Sequence, residues 1–184
     1  EILVAAGRRS NTDLLKIQNT EVETDGKGWI KTNEFLETTV DNIWAIGDIN
    51  GKYQFRHKAN HDADVCTQNI FGRGDKQPVD YTAVPWAIFT HPQIAHVGMT
   101  EQEAIAQGHQ IMVAEKTYGS VAKGFAMGLE SKPKDGFFKL IVNENYEILG
   151  GHVIGPHAPV LIQQIVYLMN AGYKCDPSKT HDPM

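Results

Sequence analysis

Cysteine is scarce in this chain: 184 residues hold two, Cys66 and Cys175, far apart in sequence. That excludes a disulfide framework and makes a reducing, cytoplasmic setting the expectation. A basic excess is lacking as well. The 17 Lys and Arg residues are outnumbered by 22 Asp and Glu, a net charge of −5 with histidine neutral. A nucleic-acid partner, which normally meets a basic face, is therefore not expected. No apolar run approaches the roughly 18 residues of a membrane span, so no membrane partner is expected either. The chain opens on Glu1-Ile2-Leu3-Val4-Ala5-Ala6-Gly7, without the basic start and small-residue cleavage site of a secretory leader. A Gly-x-Gly-x-x-Gly fingerprint, a Gly-Lys-Ser/Thr phosphate loop, a closely spaced cysteine pair and a serine nucleophile elbow are all missing. None of these motifs marks a catalytic residue.

What is present suffices for a folded core, since 41% of residues are hydrophobic. The length suits one domain or two small ones. Ile2 to Ala6 reads as a strand buried on both faces, as inside a parallel sheet, and a chain that begins there is expected to have lost its sheet neighbours. A loop over 8–13 leads to a short helical or turn segment at Leu14 to Ile17. Residues 21–37 read as a hairpin, with Asp25-Gly26-Lys27-Gly28 as turn and Trp29-Ile30-Lys31-Thr32 as strand. A turn at Thr38 to Asn42 precedes a short strand, Ile43-Trp44-Ala45-Ile46, which ends at Gly47-Asp48. A helix from Phe55 or His57 to Phe71 follows. Its polar positions are His57, Lys58, His61, Asp62 and Gln68, and its apolar ones Ala59, Ala63, Cys66 and Ile70.

Gly72 to Val79, rich in Gly, Pro and charge, is the expected domain boundary. Beyond it, Val84 to Phe89 and Gln93 to Val97 are strand candidates around Thr90-His91-Pro92. Thr100-Glu101-Gln102-Glu103 has capping-box spacing and should open a helix ending near Gly108. Gln110 to Tyr118 is a strand, and Gly136 to Val142 with Ile148 to Ile154 a hairpin around Asn143-Glu144-Asn145. Pro159 to Asn170 is an apolar helix closed by Gly172. This second half reads as an antiparallel sheet with helices on it, an α+β unit.

Several residues invite a chemical reading. Asp48 follows a buried strand and a glycine, the position at which open α/β sheets bind ligands; Gly47 would admit close approach, and the carboxylate could accept hydrogen bonds from sugar hydroxyls. An ordinary strand-to-loop turn explains the pair equally well. The helix start at Gln54-Phe55-Arg56-His57 would favour an electron-rich group, or be an ordinary amphipathic start. His57 and His61, four apart beside Asp62 and Asp64, have the spacing of a metal edge. No glutamate stands between them and no third ligand is evident, so a solvated polar face, without metal, is the expectation. Ala5-Ala6-Gly7-Arg8 closes its strand with a glycine that could let a second nucleotide approach. Cys66 is read as core, and Cys175 as surface-accessible with nothing beside it to make a reactive thiolate.

Read together, these segments resemble the carboxyl-terminal part of a pyridine nucleotide–disulfide oxidoreductase, and look most like the dihydrolipoamide dehydrogenase subgroup, with mercuric and mycothione reductases as near relatives. Leu3-Val4-Ala5-Ala6-Gly7-Arg8-Arg9-Ser10-Asn11-Thr12 is similar to the family's ATGRRPN segment. Trp44-Ala45-Ile46-Gly47-Asp48 and His57-Lys58-Ala59 resemble its AIGD…AHKA flavin segment. Phe89-Thr90-His91-Pro92-Gln93-Ile94-Ala95, Val97-Gly98-Met99-Thr100-Glu101 and Ile148-Leu149-Gly150-Gly151-His152-Val153-Ile154-Gly155-Pro156 look like its dimerisation domain. Arg56 stands where the family has alanine, and Ser10 where it often has proline.

The resemblance implies an α+β dimerisation domain over 79–184, preceded by part of an α/β, Rossmann-like FAD- and NAD(P)-binding domain. Residues 1–12 would end the NAD-binding domain, and 13–78 the FAD-binding domain. It implies FAD and NAD(H) or NADP(H) as cofactors, a homodimer through 79–184, and a disulfide or dithiol substrate such as lipoamide. Asp48, Gln54, Phe55, Arg56, His57 and, more weakly, Gly47 would line the flavin dinucleotide, and Gly7 the nicotinamide cofactor. In the family the redox cysteines lie before the segment matching this chain, and the catalytic His-Pro…Glu after the region of Lys179 to Met184. His181, with no glutamate to orient it, is read as a loop histidine. Two readings from other classes stay open: a stand-alone dimerisation or binding module, and a metal-binding protein using His57 and His61.

Overall fold

Apolar residues at Ala158, Ile162, Ile165 and Val166 recur at helical spacing, and in the computed structural model all four are buried on one face of α4 (Ala158–Asn170). The structure describes residues 1–130, 132 and 135–178; His181 lies outside them. The chain divides into two units, Glu1–Asp80 and Tyr81–Met184. Among the described residues, no helix is long and apolar enough to cross a membrane.

In the second unit, α4 packs on a five-stranded sheet made of β1 (Trp86–Ile88), β2 (Ile94–Gly98), β3 (Ile111–Thr117), β4 (Phe137–Asn143) and β5 (Ile148–Ile154). The spatial order is β1-β2-β5-β4-β3, every neighbour antiparallel. Strand alternation sends Ala95, Val97 and Val153 to the α4 side, where each is at most 1% exposed. Fully buried aliphatic side chains such as Ile162 and Val97 contribute roughly 1.5–3 kcal/mol apiece. Gly151 has a packing reason: a Cβ there would sit 3.1 Å from Ile165 Cγ2, so its lack of a side chain lets the helix come close. The β4–β5 hairpin turns where expected, with Asn143 Oδ1 accepting from the N–H groups of Asn145 and Glu147, both at 2.9 Å. Pro159 sits in the first turn of α4, where its missing N–H costs nothing.

The capping box is formed. Thr100 Oγ1 accepts from the Glu103 N–H, Glu103 Oε2 accepts from the Thr100 N–H at 2.8 Å, and α2 (Glu101–Ala106) begins there. The short helix α3 (Ala122–Ala126) has no counterpart in the sequence expectation; five residues are too few for a helical period to show. Cys175, expected at the surface, is half-buried against the core, and that burial raises its thiol pKa.

The first unit corrects the sequence reading more deeply. Ile2 to Ala6 forms no strand, and Ile2 and Leu3 are each 93% exposed. An extended run becomes a buried strand only beside a neighbour that takes its N–H and C=O groups, and among the described residues nothing pairs with it. The strands expected at 29–32 and 43–46 shrink to single bridges, Thr24 with Ile30 and Glu37 with Trp44, for the same want of a continuous ladder. Around them a small cluster of Val22, Ile30 and Ala45 is buried. The helical segment expected at 14–17 is two 3-10 turns, Thr12–Leu15 and Ile17–Asn19. α1 runs Arg56–Phe71.

The sheet face away from α4 carries a polar row across all five strands: Trp86, His96, His152, Lys139 and Glu115 stand opposite one another in register. His152 Nε2 lies 3.1 Å from the Met99 carbonyl and must donate to it, because a carbonyl only accepts. Its Nδ1 lies 3.0 Å from Nδ1 of His96, so the two imidazoles form a hydrogen-bonded pair. Burial lowers the pKa of both imidazoles, with the charge of His152 adding to it at His96 and that of Lys139 at His152; backbone hydrogen bonds to Gly98 and Met99 respectively, and more weakly nearby glutamates, oppose it without reversing it. The unfolded chain therefore takes up protons at these sites before the folded one does. Stability is full above the ordinary histidine range near about pH 6.5 and falls as the pH drops through it towards the lowered folded values. Thermal melts at pH 7.5 and 5.5 should show a loss at the acid end that His96→Gln reduces; an unchanged acid loss in that variant would exclude the dyad as its source.

Candidate functional site

Gly47 begins a 3-10 turn, Gly47–Asn50, at a φ of +72°, a conformation open to glycine at little cost. Its peptide groups are buried and are not part of any sheet ladder. Asp62 Oδ2 accepts the Gly47 N–H at 2.8 Å, and Lys58 Nζ donates to the Gly47 carbonyl at 3.1 Å. Lys58 Nζ also meets Asn50 Oδ1 and Asp62 Oδ2, each at 2.7 Å. Both charged side chains are fully buried. The helix thus holds the turn through one ion pair that occupies all three ammonium protons.

This arrangement overturns the expected face of α1. Lys58 and Asp62, read as solvated polar positions, are buried together with Val65 and Cys66, while Ile70 is exposed. The stripe 58, 62, 65 and 66 has the same helical character as the expected 59, 63, 66 and 70, but is rotated by about one residue. Hydropathy cannot reveal a charge whose burial is compensated by its partner. The available signal was the i, i+4 Lys–Asp spacing, which on sequence alone describes a surface pair as well. Cys66 is core as expected, its thiol pKa raised by burial and by the charge of Asp62.

The sequence-selected residues gather at two places around this turn. Asp48 follows Gly47 with its side chain 53% exposed, and Arg8 Nη1 donates to Asp48 Oδ2 at 3.0 Å and to the Gln54 carbonyl at 3.2 Å. Such an exposed pair contributes about 0–1 kcal/mol, so Arg8 can leave at little cost. Gln54 and Phe55 are half-buried, Arg56 and His57 exposed. Phe55 takes an extended conformation as N-cap of α1, and its ring stacks on that of His57 with centroids 5.4 Å apart. Nothing caps the helix start through a side chain, and its first turn holds no acidic residue. The first-turn N–H groups are therefore directed at whatever lies beyond the helix end, with the partial positive charge of the helix behind them.

Gly7, at φ +84°, is exposed and has nothing within 4 Å of where a Cβ would sit; its link to Asp48 runs through its neighbour Arg8. His57 and His61 are both exposed, and among the described residues no three His, Cys, Asp or Glu side chains are grouped to hold a metal ion.

Comparison with known proteins bears on both units. The family profile described as "Pyridine nucleotide-disulphide oxidoreductase, dimerisation domain" matches residues 84–181, and that described as "Pyridine nucleotide-disulphide oxidoreductase" matches residues 1–63. A dihydrolipoyl dehydrogenase of Chlamydia muridarum is 42% identical over 165 residues, covering 89% of this chain and 34% of that protein. A mycothione reductase of Mycobacterium tuberculosis is 38% identical over 176 residues, covering 93% of this chain and 37% of that protein. Among solved structures, the HOCl-induced flavoprotein disulfide reductase RclA from Escherichia coli superposes with a TM-score of 0.78 at 28% identity, covering 98% of this chain and 42% of that one. The chain thus spans about a third of the length of the curated relatives it matches. By name these relatives are a dehydrogenase, a reductase and a flavoprotein disulfide reductase. With a turn-bearing carboxylate beside an open helix start, a five-stranded antiparallel sheet behind it in sequence, and profiles matching both segments in order, the chain belongs to the pyridine nucleotide-disulphide oxidoreductase family.

Proposed function

We propose that this chain supplies the flavin-contacting and dimerising portions of an FAD-dependent NAD(P)H:disulfide oxidoreductase acting on lipoamide. Residues 1–12 close the nicotinamide-binding domain, 13–78 the FAD-binding domain, and 79–184 form the dimerisation domain. The observation that carries this reading is the Gly47–Asp48 turn held against α1, with an exposed carboxylate and an uncapped helix start side by side in sequence. A flavin dinucleotide suits both features. Its polyol arm offers hydroxyl donors to Asp48, and its ring carbonyls offer acceptors to the first-turn N–H groups at Arg56 and His57. A Cβ at Gly47 would sit 3.3 Å from the Cβ of Ala59, so the bare backbone there lets the turn lie close against α1. When bound, FAD would pass two electrons from a nicotinamide to a disulfide.

Lipoamide is favoured by the 42% identity to a dihydrolipoyl dehydrogenase. Mycothione is the second reading, supported by 38% identity over a larger share of the chain. A cytoplasmic setting accords with two cysteines that both stay as free thiols. A homodimer through 79–184 is supported by the dimerisation-domain match and by Val160 and Tyr167, 67% and 71% exposed on the side of α4 away from the core.

In the full-length gene product, Asp48→Ala should lower flavin content at least several-fold, read from the visible absorbance per protein; unchanged content would remove Asp48 from the site. The 184-residue chain itself, given NADH, FAD and lipoamide, should show no turnover, since it holds no closely spaced cysteine pair, and measurable oxidation of NADH would defeat that assignment. Light scattering at high concentration should give a dimer that Tyr167→Glu shifts to monomer. A monomer throughout would refute the assigned interface.

A further inference from the structure

The Lys58–Asp62 pair is more costly than packing alone requires. Two charges with no exposed side-chain surface lose their hydration, and well-packed apolar residues of similar volume often do as well or better in such places. What an apolar pair could not do is hold both sides of one residue's backbone. Asp62 takes the Gly47 N–H and Lys58 the Gly47 carbonyl, while the third ammonium proton fixes the Asn50 side chain at the other end of the same turn. Lys58 and Asp62 stand in the first two turns of α1. One ion pair therefore locks the turn that aims Asp48 to the helix whose first-turn N–H groups open beside it.

We propose that Lys58 and Asp62 are positioning residues for the flavin dinucleotide. They set the separation and orientation between the Asp48 carboxylate and the start of α1, so that the polyol arm and the ring carbonyls can be met at once. This role rests on the flavin reading above. It gives that reading a physical cause, because neither feature is fixed by a sheet: the turn belongs to no ladder, and the helix start has no side-chain cap. Preorganisation of this kind raises affinity by removing the ordering cost from binding.

The test separates positioning from stability. Lys58→Met alone leaves a buried carboxylate unpaired and is expected to destabilise the fold. The double variant Lys58→Met/Asp62→Leu removes both charges, and its melting temperature should return close to that of the wild type. In the full-length gene product, the double variant should nevertheless bind FAD about tenfold or more weakly, the scale on which supporting hydrogen bonds act on a site. Exchange of the Gly47 amide proton should also accelerate, because its acceptor is gone. A double variant that binds FAD as tightly as the wild type overturns the positioning role while leaving the flavin site in place. A wild-type protein that takes up no flavin sinks the flavin reading and this role with it. If the double variant does not fold, the Gly47 amide of the wild type decides: slow exchange before flavin is added supports the clamp, and exchange as fast as an exposed loop's refutes it.

Discussion

Gly47 buries a donor and an acceptor where no strand runs alongside to take them, and the structure answers with two charges from the adjacent helix. The same requirement, that a backbone group withdrawn from water must find a partner, governs the rest of the molecule. In the second unit it is met by ladders: five strands pair, β2 with the sequence-distant β5 and the others with their chain neighbours, and α4 covers the face on which Ala95, Val97 and Val153 alternate inward. Ile2 to Ala6 is exposed, so water takes its backbone groups and the segment stays irregular despite its apolar character. One rule thus produces a sheet, a buried ion pair and an exposed run in a single chain.

The two helices with buried stripes show how differently that rule can be satisfied. α4 and α1 bury residues at identical spacing, 158, 162, 165 and 166 in one and 58, 62, 65 and 66 in the other. In α4 every member is apolar and the gain comes from removing hydrocarbon surface from water. In α1 the first two are Lys and Asp, and their contribution is specificity of geometry rather than burial energy. The two units differ accordingly in what they are built to hold. The second holds a sheet face and presents α4, whereas the first keeps a turn and a helix start at a set spacing.

The polar row on the open face of the sheet follows from strand register. Trp86, His96, His152, Lys139 and Glu115 come from five strands and meet because each pairing is fixed to the residue. Lys139 reaches Glu101 of α2 at 2.6 Å, tying the capped helix to the row. A one-residue slip of either central strand would turn its histidine in under α4 and its own apolar residues, Ala95 and Val97 or Val153, out to the polar face.

Local chemistry alone determined much of this protein. The capping box at Thr100, the Asn143 turn, the α4 stripe and the approximate limits of the sheet strands depend on side chains near in sequence, so their pattern is readable without a fold. So is the ordered series of motifs around Gly7, Asp48 and His152 that carries the family resemblance. Three things were decided only by tertiary structure. Whether an apolar run becomes a strand depends on a neighbour, and Ile2 to Ala6 has none among the described residues. Whether Lys58 and Asp62 face water or the core depends on Gly47 arriving beside them from eleven and fifteen residues away. Whether His96 meets His152, 56 residues on, depends on the β2–β5 register. In each case the energy comes from a contact between separate segments, and no short window along the chain contains both halves of it.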